Sequence, residues 1–192
     1  MNKNIVSLSI HKVKLKDASK LEVEYEKRTE IQDDSGAIIE CFKDEVSLKS
    51  ERHVHPDLEK AFKILNIHLA FICELVDPYD LELEDSIHDF VQLPESADHE
   101  YLKSFLVTGF TIGGEGDHEG VVLTGRKVLK SQKILNINTP FQKFIPGEFD
   151  EGVYDYLDQL RWAIDNVINE VNLFIIEGKS ASNGQLELFD AA

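Results

Sequence analysis

The chain has 192 residues, 42% of them hydrophobic and 11 of them Phe, which is enough to bury a real core and too apolar for a disordered chain. A formal net charge of −16 excludes a surface that binds nucleic acid everywhere, because phosphates repel an acidic body. The most apolar stretch, Ile64 to Val76, is broken by Asn66, His68 and Glu74 and is too short to span a bilayer. The N-terminus lacks the charged lead and apolar run of a secretory signal, so the expectation is a cytoplasmic protein without a membrane partner. Cys41 and Cys73 have no metal-ligand spacing and are expected as small buried hydrophobes in a reducing compartment.

Ile5 to Leu15 alternates Val6, Leu8 and Ile10 with Ser7, Ser9 and His11, the period of a half-buried strand. A turn at Lys16–Ser19 leads to a second strand with Leu21, Val23 and Tyr25 on one face. The Asp33-Asp34-Ser35-Gly36 turn opens a third over Ala37–Leu48. Pro56 suits the first position of a helix in which Leu58, Phe62, Leu65, Leu69, Ile72 and Val76 share a face, with Asp77-Pro78 as its stop. Ile64, Ile67, Phe71 and Leu75 predict cover on more than one side of it.

Residues 78–101 form an acidic insertion, with a short helix expected around Asp85–Val91. Phe105 to Phe110 reads as a strand buried on both faces, and the glycine-rich Gly113–Gly120 as a flexible connection to Val121–Leu129. Lys130-Ser131-Gln132 turns into a strand at Ile134–Thr139. A final helix is expected from an Asp150 cap through Val153, Leu157, Leu160, Ile164, Val167, Val171 and Phe174 to Gly178. The reading is a single α+β domain over 1–178, mostly antiparallel sheet or an OB-like, partly open barrel, with one inter-strand helix and a long C-terminal helix. Residues 179–192 read as a flexible tail.

Charge is segregated along the chain. Glu74 to Glu100 holds ten acids and no Lys or Arg, whereas Gly125 to Phe144 holds Arg126, Lys127, Lys130, Lys133 and Lys143 and no acid. With Phe141 and Phe144, and with the lysines of residues 1–20, this run has what a single-strand groove needs, cations for phosphates and aromatics for base stacking. The bland alternative is that the phenylalanines are core and the lysines solvate a hairpin. No catalytic elbow, P-loop or EF-hand spacing is present, and the reading calls for no cofactor, no metal and no catalytic residue. A metal-dependent enzyme using Glu115, Asp117, His118 and Glu119 of the 113–120 loop, with His53 and His55, is the third reading; neither group has supporting ligands at a zinc spacing.

Near the C-terminus, Gln185-Leu186-Glu187-Leu188-Phe189 resembles the peptide by which bacterial replication and repair proteins dock on the sliding clamp, commonly Gln-Leu-x-Leu-Phe. The resemblance implies that Leu188 and Phe189 fill an apolar pocket, beside Leu186, and that the Gln185 amide bonds at its rim. It covers five residues; the body is only faintly similar to small phage and prophage proteins, with no motif that defines them. Together these features predict an accessory protein of bacterial or phage DNA replication or recombination, a single-stranded DNA-binding protein recruited by its tail. The runner-up is an adaptor or inhibitor that grips the clamp without touching DNA.

Overall fold

A computed structural model describes residues 3–17, 19–33, 35–81, 100–147, 150 and 152–181. The opening meander forms as its alternation predicts: β1 (Lys3–Lys16), β2 (Lys20–Gln32) and β3 (Ile38–His53) pair antiparallel in sequence order. The third strand runs five residues past its expected end. A helix, α1 (Pro56–Ile72), then crosses to β4 (Phe105–Gly113), which hairpins into β5 (Gly120–Val128) and β6 (Ile134–Asn138), and a two-residue β7 (Gln142–Lys143) also pairs with β5. The resulting seven-stranded sheet has the order β3-β2-β1-β4-β5-β6 with β7 off this path. It is open, with β3 and β6 at opposite edges, so the chain takes the mostly antiparallel sheet of the expectation.

The two halves of the sheet meet at a short seam. β1 pairs with β4 only at Lys12–Thr111, Val13–Phe110 and Lys14–Gly109. A β-carbon on Gly109 would stand 2.5 Å from the Val13 carbonyl oxygen, so only glycine lets the strands approach this closely. The β4 ladder with β5 slips between Val107 and Gly109, a bulge that turns both Val107 and Phe110 toward the helices. This bulge is why β4, read from its sequence as buried on both faces, instead shifts parity midway. Asn66 on α1 supports it: its side-chain oxygen accepts a 2.8 Å hydrogen bond from the buried Val107 amide.

Both helices lie on one face of the sheet. The core joins Val13, Leu21 and Val23 of the meander, Phe105, Phe110, Val121 and Leu123 of the second half, and the inner faces of α1 and of α2 (Leu157–Asn172). Gly125 lies under Leu69 of α1, where a β-carbon would come within 2.5 Å of a leucine methyl. Lys179 bonds Asp57 at 2.8 Å and Glu170 at 2.7 Å, tying the start of α1 to the end of α2, so the helices run antiparallel.

Three expectations are corrected. α1 ends at Ile72, not at Asp77-Pro78, because Glu74 turns left-handed (φ 54°) and Leu75 N–H bonds back to the Ala70 carbonyl at 2.9 Å. Asp150 does not cap the last helix: its carboxylate accepts from Gly147 N and from Lys143, Gly152 is left-handed, and α2 begins only at Leu157 before a π-turn over Leu173–Glu177 and left-handed Gly178. Cys41 is exposed and Cys73 half-buried, because β3 runs out beyond the part of the sheet that the helices cover. The helix expected at Asp85–Val91 falls outside the described residues.

Removing the Asn66 side chain leaves the Val107 amide unpaired in the core. Asn66→Ala is expected to cost about 1–3 kcal/mol in a urea melt, and an unchanged midpoint would show that the bulge does not depend on α1.

Candidate nucleic-acid interface

Strand parity divides the basic run. On β5 Val121, Leu123 and Gly125 face the helices, and Lys127 follows them; its ammonium sits 4.5 Å from the centroid of the buried Phe105 ring. Arg126 faces the other way, onto the surface that no helix covers. Lys130 and Lys133 stand exposed on the tight turn after β5, closed by Gln132 N–H to Leu129 O and Leu129 N–H to Lys133 O, with Gln132 left-handed. Lys143 is held 2.8 Å from Asp150 and lowers that carboxyl below its usual range. Phe144 is half-buried against the core. Phe141 is 45% exposed, with its ring edge 2.6 Å from where a β-carbon of Gly120 would stand, and so covers the open face at the start of β5.

The cations that join Arg126 come from elsewhere in the chain. Lys12 and Lys14 pair across the seam with Thr111 and Gly109, and the β1 alternation carries Lys16 to the same face. Beyond Lys14 the strands β1 and β4 part, leaving a cleft of about 420 Å³ lined by Lys14, Lys16, Lys63 and Arg126, with Glu59 and Asp17 beside them. Among the described residues, Lys14, Lys16, Lys63 and Arg126 form no ion pair, while Lys12 bonds Glu24 at 2.9 Å and Lys20 bonds Glu51 at 2.6 Å. Burial raises the Glu59 carboxyl above its usual value. The cleft can therefore hold an anion, with Thr108, Thr124 and Asn136 as further polar groups on its wall.

The residues of the metal reading have structural work. His53 Nδ1 shares a 3.0 Å hydrogen bond with Ser19 Oγ, and His55 Nδ1 accepts from Asp57 N–H at 3.2 Å, capping α1. Glu115, Asp117, His118 and Glu119 lie exposed on the β4–β5 connection, and among the described residues no group of three or more His, Cys, Asp or Glu side chains is arranged to hold a metal ion. No described helix is long and apolar enough to cross a membrane. Gln185, Leu186, Leu188 and Phe189 lie outside the described residues. The contributions of Lys63 and the β1 lysines were missed as specific positions in sequence; the alternation of β1 could have grouped Lys12, Lys14 and Lys16, but nothing local points to Lys63. The sequence matches no protein-family model, and comparisons with curated proteins and with solved structures find no match.

The most perturbed histidine lies away from this face. His68, buried at the end of α1, shares a 2.9 Å hydrogen bond with the Tyr154 hydroxyl, and burial lowers it to about 3. It is a core polar group closed off from solvent. The unfolded chain takes up this proton below about pH 6.5 and the folded chain only near 3, so stability is lost as pH falls through that window, by up to about 1.4 kcal/mol per pH unit. The lowered carboxyls Asp33, Glu51, Asp57 and Asp150 act in the same direction at more acidic pH. Between pH 6.5 and 4.5 a thermal melt series of the wild type should slope downward, and His68→Gln should flatten it.

Proposed function

We propose that this chain is a non-catalytic accessory protein of DNA replication or recombination that binds single-stranded nucleic acid along its uncovered sheet face. One observation carries the reading. In a chain of net charge −16, Lys14, Lys16, Lys63 and Arg126 converge on one cleft without ion pairs among the described residues. Exposed cations that form no close ion pair contribute little to the fold and lower the energy of an incoming anion. The half-exposed Phe141 ring at the other end of the same β5 face supplies a surface on which a base can stack. On this reading the contact residues are Arg126 and Phe141 of the basic run with Lys14, Lys16 and Lys63, and Lys130 and Lys133 extend the surface from the hairpin tip. Lys127, Lys143 and Phe144 serve the fold.

The runner-up, a protein-binding adaptor or inhibitor, is favoured by a different observation. Beyond the helices the meander exposes Val6, Ile38, Ile39 and Phe42, each about half accessible. Both readings keep the tail as the recruiting peptide, on its resemblance to the clamp-docking motif.

Fluorescence anisotropy with a labelled oligonucleotide separates the two. Binding is expected to weaken about 20- to 50-fold between 50 and 200 mM salt, as release of counterions from three or four phosphates of a single strand requires. Lys14→Gln with Arg126→Gln should reduce affinity about tenfold and flatten the salt dependence, while Lys127→Gln, on the opposite face, should leave binding unchanged. No binding at low salt would remove the nucleic-acid reading and leave the adaptor.

The tail is tested independently. Micromolar affinity for a sliding clamp, roughly −8 kcal/mol, is expected of a short docking peptide. Leu188→Ala with Phe189→Ala should abolish it without moving the thermal midpoint. A double variant that melts much earlier would make the segment a structural clasp.

A further inference from the structure

From Ile38 to Arg52 the outer edge of β3 has no strand partner among the described residues. At its far end the edge is closed, where Val54 bridges Ser180 and Ala181 N–H bonds the His53 carbonyl at 3.2 Å. A row of free amides and carbonyls this long is a template for another strand, and charged side chains normally guard it. Here the charges do something more selective.

If two copies of β3 pair antiparallel about a two-fold axis through the sheet, the axis must pass through one residue, and each residue then faces the one equally far on its other side. Centring on Phe42 sets Glu40 against Asp44. Lys43, Asp44 and Glu45 as centres each meet their own copy. Val46 sets Lys43 against Lys49, and Leu48 sets Glu45 against Glu51. Of the centres from Phe42 to Leu48, Ser47 alone opposes no like charges; Cys41 and Ser50 avoid them too, but Cys41 makes no opposite-charge pair and Ser50 only Lys49 with Glu51 before the closed end of the edge. Ser47 sets Glu45 against Lys49, Lys43 against Glu51 and Val46 against Leu48, each twice by symmetry.

We infer that β3 is a homodimer seam, in which two copies of this chain join their sheets edge to edge in the register centred on Ser47. The surroundings fit the occupant. Glu45 directly faces Glu26 within its own sheet, a repulsive cross-strand pair, and Lys43 at 3.1 Å from Glu26 neutralises only one side of it. Lys49 of the second copy supplies the missing cation. On the helix side Val46 and Leu48 are half-buried against the core, and the seam covers their exposed flanks. The β2–β3 ladder is regular from Glu40 to Lys49 and slips between Lys49 and His53, so the Glu45–Lys49 pairs form the ordered centre and the Lys43–Glu51 pairs the fringe. This inference does not rest on nucleic-acid binding, since the cleft lies across the sheet from β3.

Sedimentation velocity over a concentration series tests it on the full chain, with circular dichroism melts to confirm folding. The wild type is expected to dimerise. Glu45→Lys and Lys49→Glu, each alone, place like charges opposite and should weaken dimerisation on the order of tenfold. Their equimolar mixture should recover it, because each variant then meets the opposite charge, and the double variant should recover it as well. A wild type that stays monomeric at high concentration overturns the inference, whichever other segment or partner takes the edge. So do single variants that dimerise as tightly as wild type, or a mixture that does not recover.

Discussion

Three residue pairs hold the two halves of this protein together as one sheet. Lys12, Val13 and Lys14 meet Thr111, Phe110 and Gly109, and without a glycine at the last of these the strands would not close. The seam is short because β4 bulges just before it, and the bulge survives because Asn66 satisfies the buried Val107 amide that the seam leaves behind. Helix α1 thus does two things at once. It buries the apolar face of both halves, and it supplies the one polar group that the junction needs.

The brevity of the seam creates the cleft. Had β1 and β4 paired along their full lengths, Lys14, Lys16 and Arg126 would line an unbroken sheet surface and Lys63 of α1 would be hidden beneath it. Because the strands part after Lys14, a helix-side lysine reaches the same opening as open-face cations. A second opening forms at the other end of the seam, where Leu8 and Ile10 diverge from Ile112 toward Ile164 and Ile168 of α2. That one sets Glu119, Arg161 and Asp165 beside its isoleucines, one cation with two acids where the first cleft has four cations, so the two ends of one junction differ in charge.

Local pattern carried most of the fold. The period-two run Val6–Ile10, the Leu58–Leu69 stripe and the turn at Lys130–Gln132 each appear where their side chains dictate. What escaped depends on contacts distant in sequence. The Phe105–Phe110 strand looked two-sided because a bulge, invisible in composition, shifts its parity midway. Val153 looked helical because it keeps the three-four spacing of Leu157 and Leu160, but Gly152 breaks the backbone, Tyr154 pairs with His68 and the Tyr156 ring centroid lies 5.5 Å from that of Phe71. Of the candidate interface, Arg126 was legible and Lys63 was not, since only the packing of α1 beside the seam brings that side chain to the cleft.

The basic run shows why a count of cations overstates a surface. Adjacent strand residues point to opposite faces, so Arg126 and Lys127 cannot serve one groove, however close they stand in sequence. Lys127 is spent on the Phe105 ring and Lys143 on Asp150. The β1 lysines belong to an unremarkable stretch, yet alternation gathers them on one face. There they stand between the β2 glutamates and the threonines of β4 and β5, with Lys14 directly opposite Glu22 and Lys12 bonded to Glu24. A single line of cations bordered on one side by acids attracts an anionic polymer along that line and repels it toward β2. On the proposed reading, that is the arrangement expected of a site for a narrow, flexible strand, since the paired backbones of a duplex would bring a second phosphate row over the β2 glutamates.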